Sequence, residues 1–161
     1  MLEPMNGGIL ALQSDCRTTP VGLFHFAHSY AASAIRLNTI GIDATHPDAA
    51  IRFLFSHSIE LYFKAFLLQN GMTIEKLRGR KLGHSLTALL SASMENGLEV
   101  SATQQDQIKV ADDAIRDRYI ETGVRQIMLA DALSEICRML NGQVGEKIYS
   151  ANGFARNPPT L

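Results

Sequence analysis

The chain has 161 residues, of which 46% are hydrophobic and 19% are charged, and its formal net charge at pH 7 is -1. This length and apolar content predict one compact domain with a sizeable core and exclude extensive disorder. The near-neutral charge excludes a generally basic nucleic-acid-binding surface, although it leaves room for a local basic patch. The two cysteines, Cys16 and Cys137, form no metal-ligand motif, so we expect reduced thiols in a cytoplasmic protein.

The sequence also bears on targeting and on membranes. No apolar run approaches the roughly 20 residues that span a bilayer, so we expect no membrane partner. Glu3 and Asp15 lie in the first residues, where no basic cluster precedes an apolar stretch, and this argues against a secretory signal.

Glycine and proline divide the sequence into helical segments with little strand signal. We expect a flexible arm over residues 1–19, one helical domain over residues 20–150 and a flexible tail over residues 151–161. Apolar spacing predicts helices over about 21–39, 47–70, 85–95, 102–117 and 127–140, and it leaves open whether the last one continues to Tyr149. Ser101 and Gln104 have the spacing of a capping box. The predicted fold class is all-α, an up-and-down bundle of about four to five helices with short links.

The second predicted helix carries charges among apolar residues. At about 100° per residue, His57, Glu60 and Lys64 fall on one narrow stripe of a helix that is apolar on almost every other side. One interpretation is a polar ligand-binding pocket with perturbed pKa values. The other is a buried network that fixes helix register, in which Glu60 accepts hydrogen bonds from His84, Arg118 or Tyr119. The two interpretations are compatible if a cavity lies beside the network.

A basic connector precedes the third predicted helix. It contains Lys76, Arg78, Arg80 and Lys81, which are candidate phosphate-binding residues, although such a run is usually a solvated loop and no aromatic residue is interleaved. His84 follows directly and is a candidate general acid or base, with Arg78 beside it as a second catalytic candidate. The alternative for His84 is structural, with its ring bound to Glu60 or to a backbone carbonyl.

Other candidate sites are weaker. His25 and His28 have a spacing that can bind a metal, but no carboxylate accompanies them, and we predict no metal site and no cofactor. The sequence has no nucleophile elbow, P-loop or dinucleotide fingerprint. The first predicted helix is broadly apolar, which favours a homodimer.

Three blocks of the sequence occur in a defined order: Glu60 to Leu68 with Gly71, then Gly83-His84-Ser85-Leu86 with Leu89 and Leu90, and finally Arg118-Tyr119. Together they resemble the HEPN superfamily of small helical-bundle domains. The ribonuclease members of that family carry Arg-x4–6-His near the start of the last long helix. Here no histidine follows His84, and the segment from Arg78 to His84 fits this spacing within the connector instead.

The resemblance implies a domain that binds RNA or a nucleotide as a toxin or defence-system component, with metal-independent endoribonuclease activity. It also implies a homodimer and an antitoxin or a nucleotidyltransferase as a partner protein. The alternative is a non-enzymatic homodimeric interaction module whose buried Glu/Lys/His network serves its architecture.

Overall fold

The computed structural model describes residues 18–116 and 129–161, apart from the side chains of residues 113–116. Within these ranges the regular secondary structure is helical and contains no strand, so the predicted all-α class is confirmed. The helices are α1 Pro20–Ile40, α2 Pro47–Gln69, α3 Ile74–Arg78, α4 Leu86–Glu95, α5 Ala102–Arg116 and α6 Ala130–Ala151. No helix in the described part of the chain is both long and apolar enough to cross a membrane.

The structure adds one helix to the sequence prediction and extends the last predicted helix, whose end the sequence left open. The basic connector contains a short helix, α3, whose N-cap Thr73 accepts a hydrogen bond from the Lys76 backbone N–H at 3.3 Å. The last helix continues past Gly142 to Ala151, because Val144 and Ile148 keep the apolar stripe buried for two more turns. The exposed Gly142 costs that helix only about 1 kcal/mol relative to alanine and does not end it.

Side-chain caps define the helix starts. The capping box is confirmed, since the Ser101 N–H donates to Gln104 Oε1 at 3.1 Å and the Gln104 N–H donates to Ser101 Oγ at 3.3 Å. Ser85 caps α4, accepting from the Ala88 N–H at 3.3 Å. These caps fix the point at which α4 begins, directly after His84.

The core is built around α2, which packs against every other helix. Its fully buried Phe55, Ile59 and Phe63 lie in the hydrophobic core, and each such side chain contributes roughly 1.5–3 kcal/mol by burial. On the α1 side, Ser58 Oγ donates to the Ala27 carbonyl oxygen at 2.7 Å. This face of α1 carries small side chains, since the alanines at positions 27, 31 and 34 are all buried there. We infer that α1 and α2 pack closely because this surface carries little side-chain volume.

The C-terminal segment lies against the bundle. Asn141 Nδ2 on α6 donates to the Pro159 carbonyl oxygen at 2.8 Å, and Arg138 on the same helix donates to the carbonyl oxygen of Leu161. Gly145 allows this close approach, because a Cβ there would lie 2.9 Å from both Phe24 and Pro158. The flexibility predicted for this segment stays a prediction, but in the structure it contacts α1 and α6.

Candidate functional site

A buried carboxylate on α2 is surrounded by three basic side chains. Glu60 is 5% exposed, and its Oε1 lies 2.5 Å from Lys64 Nζ and 3.2 Å from His84 Nδ1. Its Oε2 lies 3.8 Å from His57 Nδ1. We call His57, Glu60, Lys64 and His84 the Glu60 cluster. The structure therefore brings together the three residues of the predicted stripe and His84, which lies just before α4.

Local sequence explains this meeting. One turn of α2 separates Glu60 from His57 on one side and from Lys64 on the other, so the three side chains share a face. Gly83 donates its N–H to the Gly79 carbonyl oxygen at 2.8 Å in the turn before α4. A Cβ on Gly83 would lie 3.2 Å from that same oxygen, so a side chain there would be crowded. This tight turn and the Ser85 cap position His84 beside α2.

The charges of the cluster favour an ionised Glu60. Burial raises the pKa of this carboxyl, but hydrogen bonds and charges from His57, Lys64 and His84 outweigh burial and lower the pKa to about 2. An ionised carboxylate only accepts hydrogen bonds, so His84 Nδ1 carries the proton in this pair. In a neutral imidazole of that tautomer, Nε2 is then free of hydrogen and can accept a proton.

His84 combines this orientation with access to solvent. Its side chain is 69% exposed, whereas Glu60 is 5% exposed and Lys64 is 14% exposed. A carboxylate that orients an imidazole whose other nitrogen is a base is the arrangement used in general acid–base catalysis. The cluster can therefore take a proton from a bound group or give one to it.

His57 connects the cluster to two aromatic rings. Its ring is stacked on Phe53, with centroids 6.0 Å apart and planes 11° apart, and meets Tyr30 of α1 edge-on with centroids 4.8 Å apart. Phe53 is 57% exposed. The Glu60 cluster is thus continuous with an aromatic surface that the sequence analysis did not predict.

The connector cations are placed differently from one another. Arg78 lines a cavity of about 560 Å³ with residues of the α1 start, the α2 end and α3, and no hydrogen bond or ion pair joins it to His84 within the described ranges. A catalytic role for Arg78 stays a prediction. Lys76, Arg80 and Lys81 are exposed, and the described part of the chain gives none of them an ion-pair partner. Arg118 and Tyr119 lie outside the described residues.

Sequence reasoning missed a second buried carboxylate, Asp112 of α5. It accepts hydrogen bonds from the Leu86 N–H at 2.8 Å, the Thr87 N–H at 3.0 Å and Ser85 Oγ at 3.1 Å. Burial raises its pKa, but the hydrogen bonds from Thr87, Leu86 and Ser85 outweigh burial and lower it. One signal was present in the sequence: Asp112 follows the core residues Ile108 and Ala111 on an apolar stripe.

The two histidines of α1 have partners of their own. His25 Nε2 lies 2.8 Å from the Tyr149 hydroxyl, and His28 Nε2 lies 3.2 Å from the Thr160 carbonyl oxygen. Among the described residues, no group of three or more His, Cys, Asp or Glu side chains could hold a metal ion. Both histidines tie α1 to the C-terminal part of the chain.

No protein-family model, curated protein or solved structure matches this chain. The HEPN resemblance therefore rests on the sequence blocks themselves. The first block forms the second half of α2, and the second block forms the turn before α4 with the first half of that helix. These two blocks contribute Glu60, Lys64 and His84 to the cluster.

Proposed function

We propose that this protein is a HEPN-like domain that binds RNA or a nucleotide and cleaves RNA without a metal, as a toxin or defence-system component. The observation that carries the proposal is the exposed His84 ring held by the buried Glu60 carboxylate at 3.2 Å. A purely architectural pair has no need of a ring that is 69% exposed. RNA supplies its own nucleophile, the 2′-hydroxyl, so cleavage needs acid–base groups and positive charge rather than a redox or metal cofactor.

The proposed reaction assigns one role to each histidine. His84 Nε2 takes the proton of the 2′-hydroxyl, whose oxygen attacks the adjacent phosphorus while the bond from phosphorus to the 5′-oxygen breaks. Protonated His57, on the other oxygen of Glu60, donates a proton to the leaving 5′-oxygen. The products are a 2′,3′-cyclic phosphate and a 5′-hydroxyl, and exchange with water returns both rings to their starting protonation.

Positive charge supports the binding of a phosphate chain at this place. Lys64 neutralises Glu60, so the cluster carries net positive charge whenever either histidine is protonated. The exposed Arg80 and Lys81 precede His84 by four and three positions, and with Lys76 they supply further phosphate contacts. The connector thus serves binding, while the Glu60 cluster carries the chemistry.

The test is an assay of RNA cleavage in excess EDTA with the wild type, His84→Ala and Arg78→Ala. We expect the wild type to produce 5′-hydroxyl and cyclic-phosphate ends and His84→Ala to lose at least about a hundredfold in rate. Arg78 is an exposed cation nearby in sequence, and because it lines a cavity with the starts of α1 and α3 and has no hydrogen bond or ion pair with His84 in the described residues, we expect its loss to have a smaller effect than the loss of His84. Intact RNA with the wild type, under binding conditions and with several RNA preparations, would contradict the proposal.

A second candidate function is a non-enzymatic homodimeric interaction module. It is favoured by two exposed aromatic side chains, Phe26 on α1 at 63% and Phe53 on α2 at 57%. Light scattering of the wild type and of Phe26→Ser would test it, because a dimer buried through this surface would dissociate in the variant. With either candidate function, an adjacent gene for an antitoxin or a nucleotidyltransferase would identify the expected partner protein.

A further inference from the structure

We propose that Phe53, His57 and Tyr30 form a stacking platform for one unpaired nucleobase of the RNA whose phosphate lies at the Glu60 cluster. The inference rests on the proposed function and specifies its substrate as single-stranded RNA. It also gives a role to Phe53 and Tyr30, which neither the core nor the proton transfer uses.

The geometry of the three rings supports a stacking role. Phe53 and His57 are one helical turn apart on α2 and are nearly parallel at 11°, while Tyr30 meets the His57 ring edge-on. The rings are therefore held in a defined orientation by contacts between two packed helices. Phe53 nevertheless stays 57% exposed, so its ring surface is available to a third flat group.

Continuity with the Glu60 cluster indicates what that group is. The same His57 ring contacts Phe53 and lies 3.8 Å from the Glu60 carboxylate through Nδ1, and His84 lies on the other oxygen of that carboxylate. A ligand at this place needs a flat ring joined to an anionic group, and the exposed cations Arg80 and Lys81 precede His84 by four and three positions. A nucleotide of a single strand has both, and bases stack on aromatic side chains regardless of sequence.

Phe26 extends the platform along α1. It lies one turn before Tyr30 on the same face of the helix and is 63% exposed. A neighbouring base of the same strand is the group that would cover it. The platform thus predicts a preference for unpaired RNA over a duplex, whose bases cannot leave their stack without cost.

The absence of tryptophan from the sequence makes the platform measurable. Phe53→Trp introduces the single tryptophan at the platform, where it can be excited selectively over tyrosine, and Phe154→Trp introduces it at an exposed aromatic position that contacts Tyr149 instead. Each variant is titrated with a short 2′-O-methyl oligouridylate, which cannot be cleaved, and with an abasic chain carrying the same phosphates. We expect the oligouridylate to quench Phe53→Trp alone and the abasic chain to quench neither.

Affinity provides the second readout. Phe53→Ala should bind the oligouridylate about tenfold more weakly than the wild type, whereas its affinity for the abasic chain should change less than about twofold. Phe53→Tyr should restore binding. Equal melting temperatures of wild type and Phe53→Ala would show that the fold is retained.

Other outcomes separate the inference from the proposed function. If the wild type binds and cleaves RNA but Phe53→Ala binds the oligouridylate equally well, the platform is overturned and the proposed function stands. If Phe53→Ala dissociates a dimer without changing RNA affinity, the surface belongs to a second copy of the chain and the inference is wrong. If the wild type binds no RNA, both fail.

Discussion

Glu60 and Asp112 are both buried carboxylates with lowered pKa values, yet their partners differ in kind. Asp112 accepts hydrogen bonds from two backbone N–H groups and a hydroxyl at the start of α4. Glu60 faces three side chains that carry or exchange protons, and one of them is largely exposed. Asp112 therefore binds backbone N–H groups, whereas Glu60 contacts a side chain, His84, that is itself exposed to solvent.

The difference shows how to distinguish architecture from a candidate site. A carboxylate that satisfies the N-terminal N–H groups of a helix stabilises the fold and offers nothing to a ligand. A carboxylate that orients an exposed imidazole offers a base at the surface. Burial and a lowered pKa are common to both, so neither property alone identifies a functional residue.

The largest expected effect is a loss of RNA cleavage when Glu60 and Lys64 are replaced together. Glu60→Gln/Lys64→Met removes the carboxylate together with the ammonium it neutralises, so we expect the free energy of unfolding to fall by less than about 2 kcal/mol. RNA cleavage should fall at least about a hundredfold, because His84 loses the group that orients it. Urea unfolding and initial cleavage rates measure the two effects, and full activity in the double variant would contradict the role of Glu60.

Asp112 should show the opposite pattern. Asp112→Ala leaves the first turn of α4 without its acceptor, and we expect a loss of about 3 kcal/mol in the free energy of unfolding. RNA affinity should be unchanged at a temperature where the variant is folded. Asp106→Ala on the same helix is the matched control, since Asp106 is 77% exposed and pairs with Lys109, which also lies at the surface, and it should cost no more than about 0.5 kcal/mol.

The pH dependence of the free energy of unfolding distinguishes the contribution of Glu60 from that of other residues. Its folded-state pKa of about 2 lies below the ordinary value of 4.5, so its ionised form stabilises the fold above pH 4.5, and this contribution is lost as the pH falls toward 2. The contribution is on the order of 3 kcal/mol. Urea unfolding at neutral and acid pH should show a smaller acid loss in Glu60→Gln than in the wild type, while Asp112 supplies acid sensitivity to both. Identical pH dependence in the two proteins would refute the ionised Glu60.

The smallest effects are expected in the connector. Arg80→Ser and Lys81→Ser should each weaken RNA binding a few-fold and should each lower the slope of log affinity against log salt by about 0.7. Lys109→Ser removes an exposed cation of α5 that already pairs with Asp106, so its slope should match that of the wild type. Unchanged slopes in the connector variants would place the phosphate chain elsewhere.

Local signals in the sequence predicted most of the helical fold and part of the candidate site. The capping box at Ser101 and the stripe of His57, Glu60 and Lys64 depend on residues within one or two turns, so helical periodicity sufficed to find them. The structural alternative for His84, a bond to Glu60, also stood among the interpretations, and the structure has that contact.

The features that sequence reasoning missed depend on distant parts of the chain. Asp112 caps a helix that begins 26 residues earlier, as the Leu86 hydrogen bond shows, and no local pattern marks such a pairing. The stacking of Phe53 on His57 is local, but its meeting with Tyr30 depends on how α1 packs against α2. The spacing of Arg78 and His84 suggested one site; in the structure Arg78 ends α3 and lines a cavity beside the start of α1, His84 contacts Glu60, and a joint catalytic role stays a prediction.

The most direct test of the central claim is to measure the free energy of unfolding and the RNA cleavage rate of His84→Ala together. Because His84 is 69% exposed, we predict a free energy of unfolding within about 1 kcal/mol of the wild type, with cleavage in EDTA lost. A loss of several kcal/mol with cleavage unchanged would show instead that the Glu60 cluster, like Asp112, serves only the fold.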